Sequence, residues 1–198
     1  MIAVITGDIV NSKKDDSQNW LNLLKNTLNQ YGSEPQTWEI YRGDSFQLSI
    51  NPEKALIAAL HIKSMIKQTK IQDVRLAIGV GSEKHKSQKI TESNGSAYVN
   101  SGECFESLKK QTLAIKTDDK DLNEALNIML DLSLLTADHW SVVVSEVIKT
   151  AIENPDKNQR ELAELLAKSQ SNISEALKRG GFDEIMAMNQ FYMKNILK

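Results

Sequence analysis

Residues Ile2 to Val10 are almost unbroken in apolar and β-branched side chains. A strand buried on both faces needs that pattern, so the opening segment predicts a central strand of a sheet. Asn11-Ser12 interrupt it, and Trp20, Leu21, Leu24 and Leu28 then recur at helical spacing as far as Tyr31-Gly32. From Thr37 to Ile50, Trp38, Ile40, Phe46, Leu48 and Ile50 alternate with polar neighbours around Gly43-Asp44, the chemistry of a tight hairpin. Pro52 suits a first helical turn, and Ala55, Ala59, Ile62 and Ile66 carry one apolar helical face behind it. Asp73 to Gly81 alternates again: Val74, Leu76, Ile78 and Val80 point one way, and Arg75, Ala77, Gly79 and Gly81 the other. The small residues leave room for something to lie on that face. Lys84 to Gly95 reads as a surface loop, followed by an amphipathic stretch through Phe105 and Leu108 and a short strand at Leu113 to Ile115.

The polar turn Thr117-Asp118-Asp119-Lys120 separates this strand-bearing half from a remainder that reads as helical throughout. Leu122 to Leu134 forms one helical pattern, and Trp140, Val143, Val144, Val147 and Ala151 form another that ends at Asn154-Pro155. The expected class is α+β: a ferredoxin-like sheet with covering helices over residues 1–117, then an all-helical domain over 118–198.

Composition narrows the function. The 198 residues carry 24 basic against 26 acidic side chains, so no global field draws the chain to DNA or to an anionic membrane. Any nucleic-acid contact is local. One cysteine, Cys104, excludes an intramolecular disulfide framework and a cysteine-rich zinc site. With no apolar run near the roughly 20 residues that span a bilayer, and no basic leader before Ile2, the expected location is the cytoplasm, without membrane contact. His61, His85 and His139 share no metal-binding spacing, Cys104 reads as a small core residue, and Trp20, Trp38 and Trp140 read as core anchors. Lys84, Lys86 and Lys89 read as a solvated loop able to steer an anion.

Asn158-Gln159-Arg160-Glu161 is a variant capping box that opens a helix through Leu162, Ala163, Leu165 and Leu166. A second helix follows, with Ile173, Ala176 and Leu177 on its inner side, and stops at Gly180-Gly181. Gln159, Ala163, Ser169, Gln170, Ser171, Ile173 and Ser174 make residues 158–180 resemble the helix-turn-helix of sigma-factor-like and repressor-type proteins. Where those proteins usually have glycine and an aliphatic residue at the turn, this chain has Ala167 and Lys168. The resemblance implies DNA contacts from Gln170, Ser171, Asn172, Ser174, Lys178 and Arg179, with Glu175 the awkward neighbour of a phosphate backbone. Pro155 to Gly181 holds five basic and four acidic residues, so one copy binds phosphate weakly and a homodimer would double the contacts. The same segment also fits a helical hairpin that only packs or binds another protein.

Asp8 ends the opening strand and Asp44 sits at the hairpin tip. In a ferredoxin-like sheet both carboxylates reach one edge, where a magnesium ion holding a nucleotide phosphate would take Asp8 and Asp44 as metal ligands. The segments Thr6-Gly7-Asp8-Ile9-Val10, Arg42-Gly43-Asp44-Ser45-Phe46, Arg75-Leu76-Ala77-Ile78-Gly79-Val80-Gly81 and Gly95 with Val99-Asn100 resemble the palm domain of class III nucleotidyl cyclases and diguanylate cyclases. That resemblance implies a nucleotide site drawing on Asp8, Asp44, Arg42, Arg75 and Asn100. The chain departs from it where Ile40 replaces the base-selecting lysine and Cys104 the transition-state arginine. The plainer alternative is that Asp8 caps a turn and Asp44 closes a hairpin.

Across Ala3 to Arg179, the segments Thr-Gly-Asp-Ile-Val-Asn-Ser, Trp-Glu-Ile-Tyr-Arg-Gly-Asp-Ser-Phe-Gln, Val-Arg-Leu-Ala-Ile-Gly and Ser-Asn-Gly-x-Ala together with the helix pair resemble the bacterial SatD family. The expected function is a DNA-binding regulator with a metal- or nucleotide-binding sensor half. A magnesium-dependent phosphoryl-transfer enzyme and a protein-binding adaptor with vestigial sites are the alternatives.

Overall fold

The apolar opening run becomes β1 (Ile2–Val10), with Ala3 to Gly7 and Ile9 buried. It is the middle strand of a five-stranded sheet ordered β2-β3-β1-β4-β5, where β2 is Trp38–Tyr41, β3 Ser45–Ile50, β4 Asp73–Gly81 and β5 Leu113–Lys116. β1 runs antiparallel to both β3 and β4, β2 is antiparallel to β3, and β4 and β5 are parallel. The computed structural model describes residues 1–14 and 17–197. Among them the sheet is joined by eight α-helices, an α+β architecture.

The two faces of the sheet differ. Ile5, Ile9, Phe46, Leu48, Leu76, Ile78 and Ile115 lie on one face and join the core with Leu24 of α1 (Ser17–Asn29) and Leu56, Ala59 and Ile62 of α2 (Pro52–Ile66). The other face carries Thr6, Asp8, Ser45, Gln47, Arg75, Ala77 and Gly79, because side chains alternate along each strand and directly paired residues share a face. α3 (Ser96–Ser107) fills the space that the small residues of β4 leave. A Cβ on Gly79 would stand 2.1 Å from the Ser101 backbone nitrogen, so only glycine admits the helix at this height. Thr6 Oγ1 and Ser101 Oγ, 3.0 Å apart, hydrogen-bond across the contact.

The helical half packs against the same core. α4 (Lys120–Ala137), capped by Asp119, runs along β5 and supplies what that edge strand lacks. Asn127 accepts from the Ile115 amide and donates to its carbonyl, at 3.0 and 2.9 Å, and Asn123 does the same for Thr117 at 2.8 and 2.9 Å. Two asparagines one helical turn apart thus close a sheet edge that would otherwise present unpaired backbone groups. α5 (Val142–Glu153) rests on α2 and is followed by α6 (Gln159–Leu165), α7 (Gln170–Gly180) and α8 (Phe182–Asn195). α8, which was not expected as a separate element, returns to α2, where Tyr192 Oη donates to the Pro52 carbonyl at 2.5 Å. One continuous apolar core joins the sheet to α4, α5, α7 and α8.

Lys63 pins the halves together. It is 0% exposed, and its Nζ lies 2.9 Å from Asp73 Oδ1, 2.7 Å from Asp138 Oδ1 and 3.0 Å from Thr112 Oγ1. Those partners stand at the start of β4, the end of α4 and the approach to β5.

Candidate functional site

Strand register places Tyr41, Ser45, Asp8 and Arg75 in one row across β2, β3, β1 and β4, on the face that α3 covers only in part. Arg75 grips Asp8 with both prongs, Nε to Oδ1 at 2.9 Å and a terminal nitrogen to Oδ2 at 2.5 Å. Its guanidinium carbon also lies 5.3 Å from the centroid of the Phe105 ring. The hydrogen bonds to Asp8 raise the Arg75 pKa further above its ordinary value. Asp44 closes the neighbouring hairpin, where its carbonyl accepts from the Ile9 amide at 3.1 Å and its Oδ2 accepts from the Ser12 hydroxyl at 2.6 Å. Arg42, at φ +53° beside it, is exposed. Burial raises the Tyr41 phenol; the Arg42 charge opposes that shift and the Asp8 carboxylate adds to it, which puts the hydroxyl in the field of both.

The row therefore assembles Asp8, Asp44, Arg42 and Arg75 at one end of the sheet. Asn100 does not join them. It is buried in α3 and donates to the Val80 carbonyl at 2.9 Å and to Asp118 Oδ1 at 3.3 Å. Val80 stands five residues beyond Arg75 on an extended strand, about 17 Å away. Because β1 and β4 are antiparallel, the end of β1 meets the start of β4, whereas α3 begins near the end of β4.

The donor set does not fit a preformed magnesium centre. An ion bridging Asp8 and Asp44 needs available carboxylate oxygens, and three of the four already accept hydrogen bonds from Arg75 and Ser12. Among the described residues no group of three or more His, Cys, Asp or Glu side chains is placed to hold a metal. Asp8 is held by Arg75 and Asp44 by Ser12, so an ion between the two carboxylates would have to share oxygens that already accept hydrogen bonds.

The second candidate is the helix pair. Asn158 and Glu161 form the capping box that their spacing predicts, and α6 then ends in the turn Leu166-Ala167-Lys168. There the Ala167 amide donates to the Glu164 carbonyl and the Lys168 amide to the Ala163 carbonyl, at 3.3 and 2.9 Å. That is a Schellman termination with alanine at the left-handed position, φ +49°. Ser169 caps α7 by accepting from the Asn172 amide. Ile173, Ala176 and Leu177 of α7 are buried with Val144, Val147 and Ile148 of α5, and Trp140 Nε1 donates to the Gly180 carbonyl at 3.0 Å. The outward residues Gln170, Ser171, Asn172, Ser174, Lys178 and Arg179 are all exposed. Arg179 pairs with Glu175 at 2.9 Å and Lys168 with Glu146 at 3.0 Å, whereas Lys178 makes no ion pair among the described residues.

A model of the SatD family matches residues 1–196. The chain belongs to the SatD family. No curated protein and no solved structure matches it. Among the described residues of this SatD chain no helix is long and apolar enough to cross a membrane.

Three groups in the SatD chain have partners that sequence reasoning did not identify. Ser12, read only as a strand breaker, holds Asp44. Lys63, one turn after the apolar Ala59, gave no sign of being buried. His61 lies between Tyr31 and Glu153, with Nδ1 2.7 Å from the phenol and Nε2 3.2 Å from Oε1, and so links α2 to the end of α1 and to α5. Burial lowers its pKa, while the Glu153 charge pulls the other way. Cys104 is buried as expected, and desolvation pushes its thiol up to about 11, which leaves it inert as a nucleophile at neutral pH.

Proposed function

We propose that this SatD-family protein is a DNA-binding regulator whose helix-turn-helix, α6 and α7, reads duplex DNA, and whose sheet end binds a phosphate-bearing ligand such as a nucleotide. The observation that carries the reading is α7 itself: its apolar side is buried, its amino-terminal half is capped by Ser169, and Gln170, Ser171, Asn172 and Ser174 stand exposed with no tertiary side-chain bonds among the described residues. A recognition helix reads bases from its first turns, where Asn172 has the paired donor and acceptor that match adenine. The tight Ala167 turn and the α5 buttress hold that helix rigidly, which sequence reading by direct contact requires.

For the sheet half, the antiparallel run β2-β3-β1-β4 supports a ferredoxin-like reading and the likeness to a nucleotidyl-cyclase palm. Arg42 and the outward edge of Arg75 offer phosphate donors, with the Ser45 and Tyr41 hydroxyls in the same row. Ile40 and Cys104, where a cyclase carries its lysine and arginine, favour binding over turnover.

The test is selection from random-sequence duplexes by the full chain, followed by affinity measurements on the enriched sequence over a range of salt. The expected result is an enriched motif whose affinity falls steeply with salt and drops roughly tenfold to a hundredfold in Asn172→Ala. No enriched sequence, or an Asn172→Ala variant that binds like wild type, overturns the DNA reading.

A further inference from the structure

The row across the sheet end has an order. Cross-strand pairing sets Tyr41 beside Ser45, Ser45 beside Asp8 and Asp8 beside Arg75, with neighbouring strands about 4.8 Å apart. Asp8 therefore stands between Arg75 on one side and the hairpin residues on the other. Its carboxylate accepts from Arg75 Nε at 2.9 Å and from a terminal nitrogen at 2.5 Å, and so fills an edge of the guanidinium that offers two parallel hydrogen bonds. The guanidinium carbon also lies over the Phe105 ring, a contact that does not depend on Asp8. Across Asp8, the Tyr41 and Ser45 hydroxyls make no hydrogen bond, and Arg42 makes no ion pair, among the described residues. The neighbouring acids are taken up elsewhere: Asp44 by Ser12, Asp73 by Lys63 and Lys67, and Glu39 by the Thr91 hydroxyl.

We infer that Asp8 is an internal competitor that sets which anions this end of the sheet accepts, its carboxylate standing where one phosphate group would reach both Arg75 and Ser45. The inference rests on the reading that the sheet end binds a phosphate-bearing ligand. A tethered carboxylate competes as though it were present at about millimolar concentration or above, so a singly charged anion stays out. A chain of two or more phosphates brings more charge and more oxygens. One of its phosphates takes the paired donors of Arg75, while Arg42 and the Tyr41 hydroxyl meet the next. Binding then exchanges one guanidinium partner for another and releases the Asp8 carboxylate to water. The ligand class is accordingly a diphosphate or triphosphate, and a carboxylate or an isolated phosphate is excluded.

The experiment is calorimetric titration of the full chain with inorganic pyrophosphate, at fixed ionic strength and with divalent cations chelated. Wild type is compared with Asp8→Asn, Asp44→Asn and the double variant Asp8→Asn/Arg75→Gln. Asparagine keeps the size of aspartate, and circular dichroism establishes that each variant is folded. Asp8→Asn is expected to bind pyrophosphate roughly tenfold or more tightly than wild type, because the competitor is gone. Asp44→Asn removes the same charge from the same end of the sheet but no partner of Arg75, so its gain through the field alone stays below about threefold. The double variant loses the gain. Three outcomes overturn the competitor role while leaving the phosphate reading in place: a wild type that binds while Asp8→Asn binds no better, a gain matched by Asp44→Asn, or a gain that survives the loss of Arg75. No binding by any of the four proteins overturns the phosphate reading, and the competitor role with it.

Discussion

The two halves of the molecule treat their polar residues in opposite ways. In the sheet half, charges are committed to one another: Asp8 to Arg75, Asp44 to Ser12, and Lys63 to Asp73 and Asp138, the last group with its ammonium fully buried. In the helix pair, polar side chains cap helix ends, as Asn158 and Ser169 do, form surface ion pairs, as Arg179 and Glu175 do, or stand in water, as Gln170, Ser171 and Asn172 do. Committed charges hold strands in register and leave few groups for a ligand. Exposed polar side chains contribute little to stability and are available to a partner. A motif inventory that ranks Asp8 and Asn172 alike as candidates misses this difference.

The largest test of the contrast is Lys63→Met. Removing the ammonium leaves Asp73 with Lys67 and Asp138 with Thr112 but without the charge they share, and the expected loss is about 3 kcal/mol, read as a lower urea midpoint at unchanged slope. A loss under about 1 kcal/mol would mean that the sheet half does not depend on its buried charge, and the contrast would fail on that side.

The helical side is sharpened by Ala167→Gly. Alanine at φ +49° bears a cost that glycine does not, so the variant should gain about 1 kcal/mol and a higher Tm with the secondary structure unchanged. A destabilised variant would show that the turn is held by something other than its backbone geometry.

The smallest effect probes the joint between the halves, the Tyr31–His61–Glu153 chain. Burial lowers the His61 pKa below its ordinary 6.5, so the folded state binds a proton less readily than the unfolded chain. Its contribution is complete above pH 6.5 and is lost as the pH falls from there toward the lowered folded-state value. Burial raises the Glu153 pKa, but hydrogen bonds from Lys149 and Gln30 and the charges of Lys149 and His61 together bring it below its ordinary 4.5, so it acts in the same sense but in a more acid range. Melting His61→Gln and wild type at pH 7.5 and 5.5 should show a flatter pH dependence in the variant. Equal slopes would remove His61 as the titrating group.

Much of the chain is legible from its sequence. The apolar run of β1, the alternation in β4, the capping box at Asn158 and the inward set Ile173, Ala176 and Leu177 depend on near neighbours along the chain, because strand and helix periods and first-turn hydrogen bonds are local. The same local pattern tells correctly which face of α7 is exposed. Which groups meet across the sheet is not local. The antiparallel register of β1 on β4 sets Arg75 on Asp8, and a shift of one residue would put those two side chains on opposite faces. Likewise the small residues of β4 announce a gap, but only packing puts α3 into it, and nothing along α4 says that Asn123 and Asn127 close the edge of β5. Local periodicity thus determined the elements and their buried faces. Register and docking, settled by long-range packing in which apolar burial and paired polar groups must be satisfied together, decided which charges were committed and which remained for a partner.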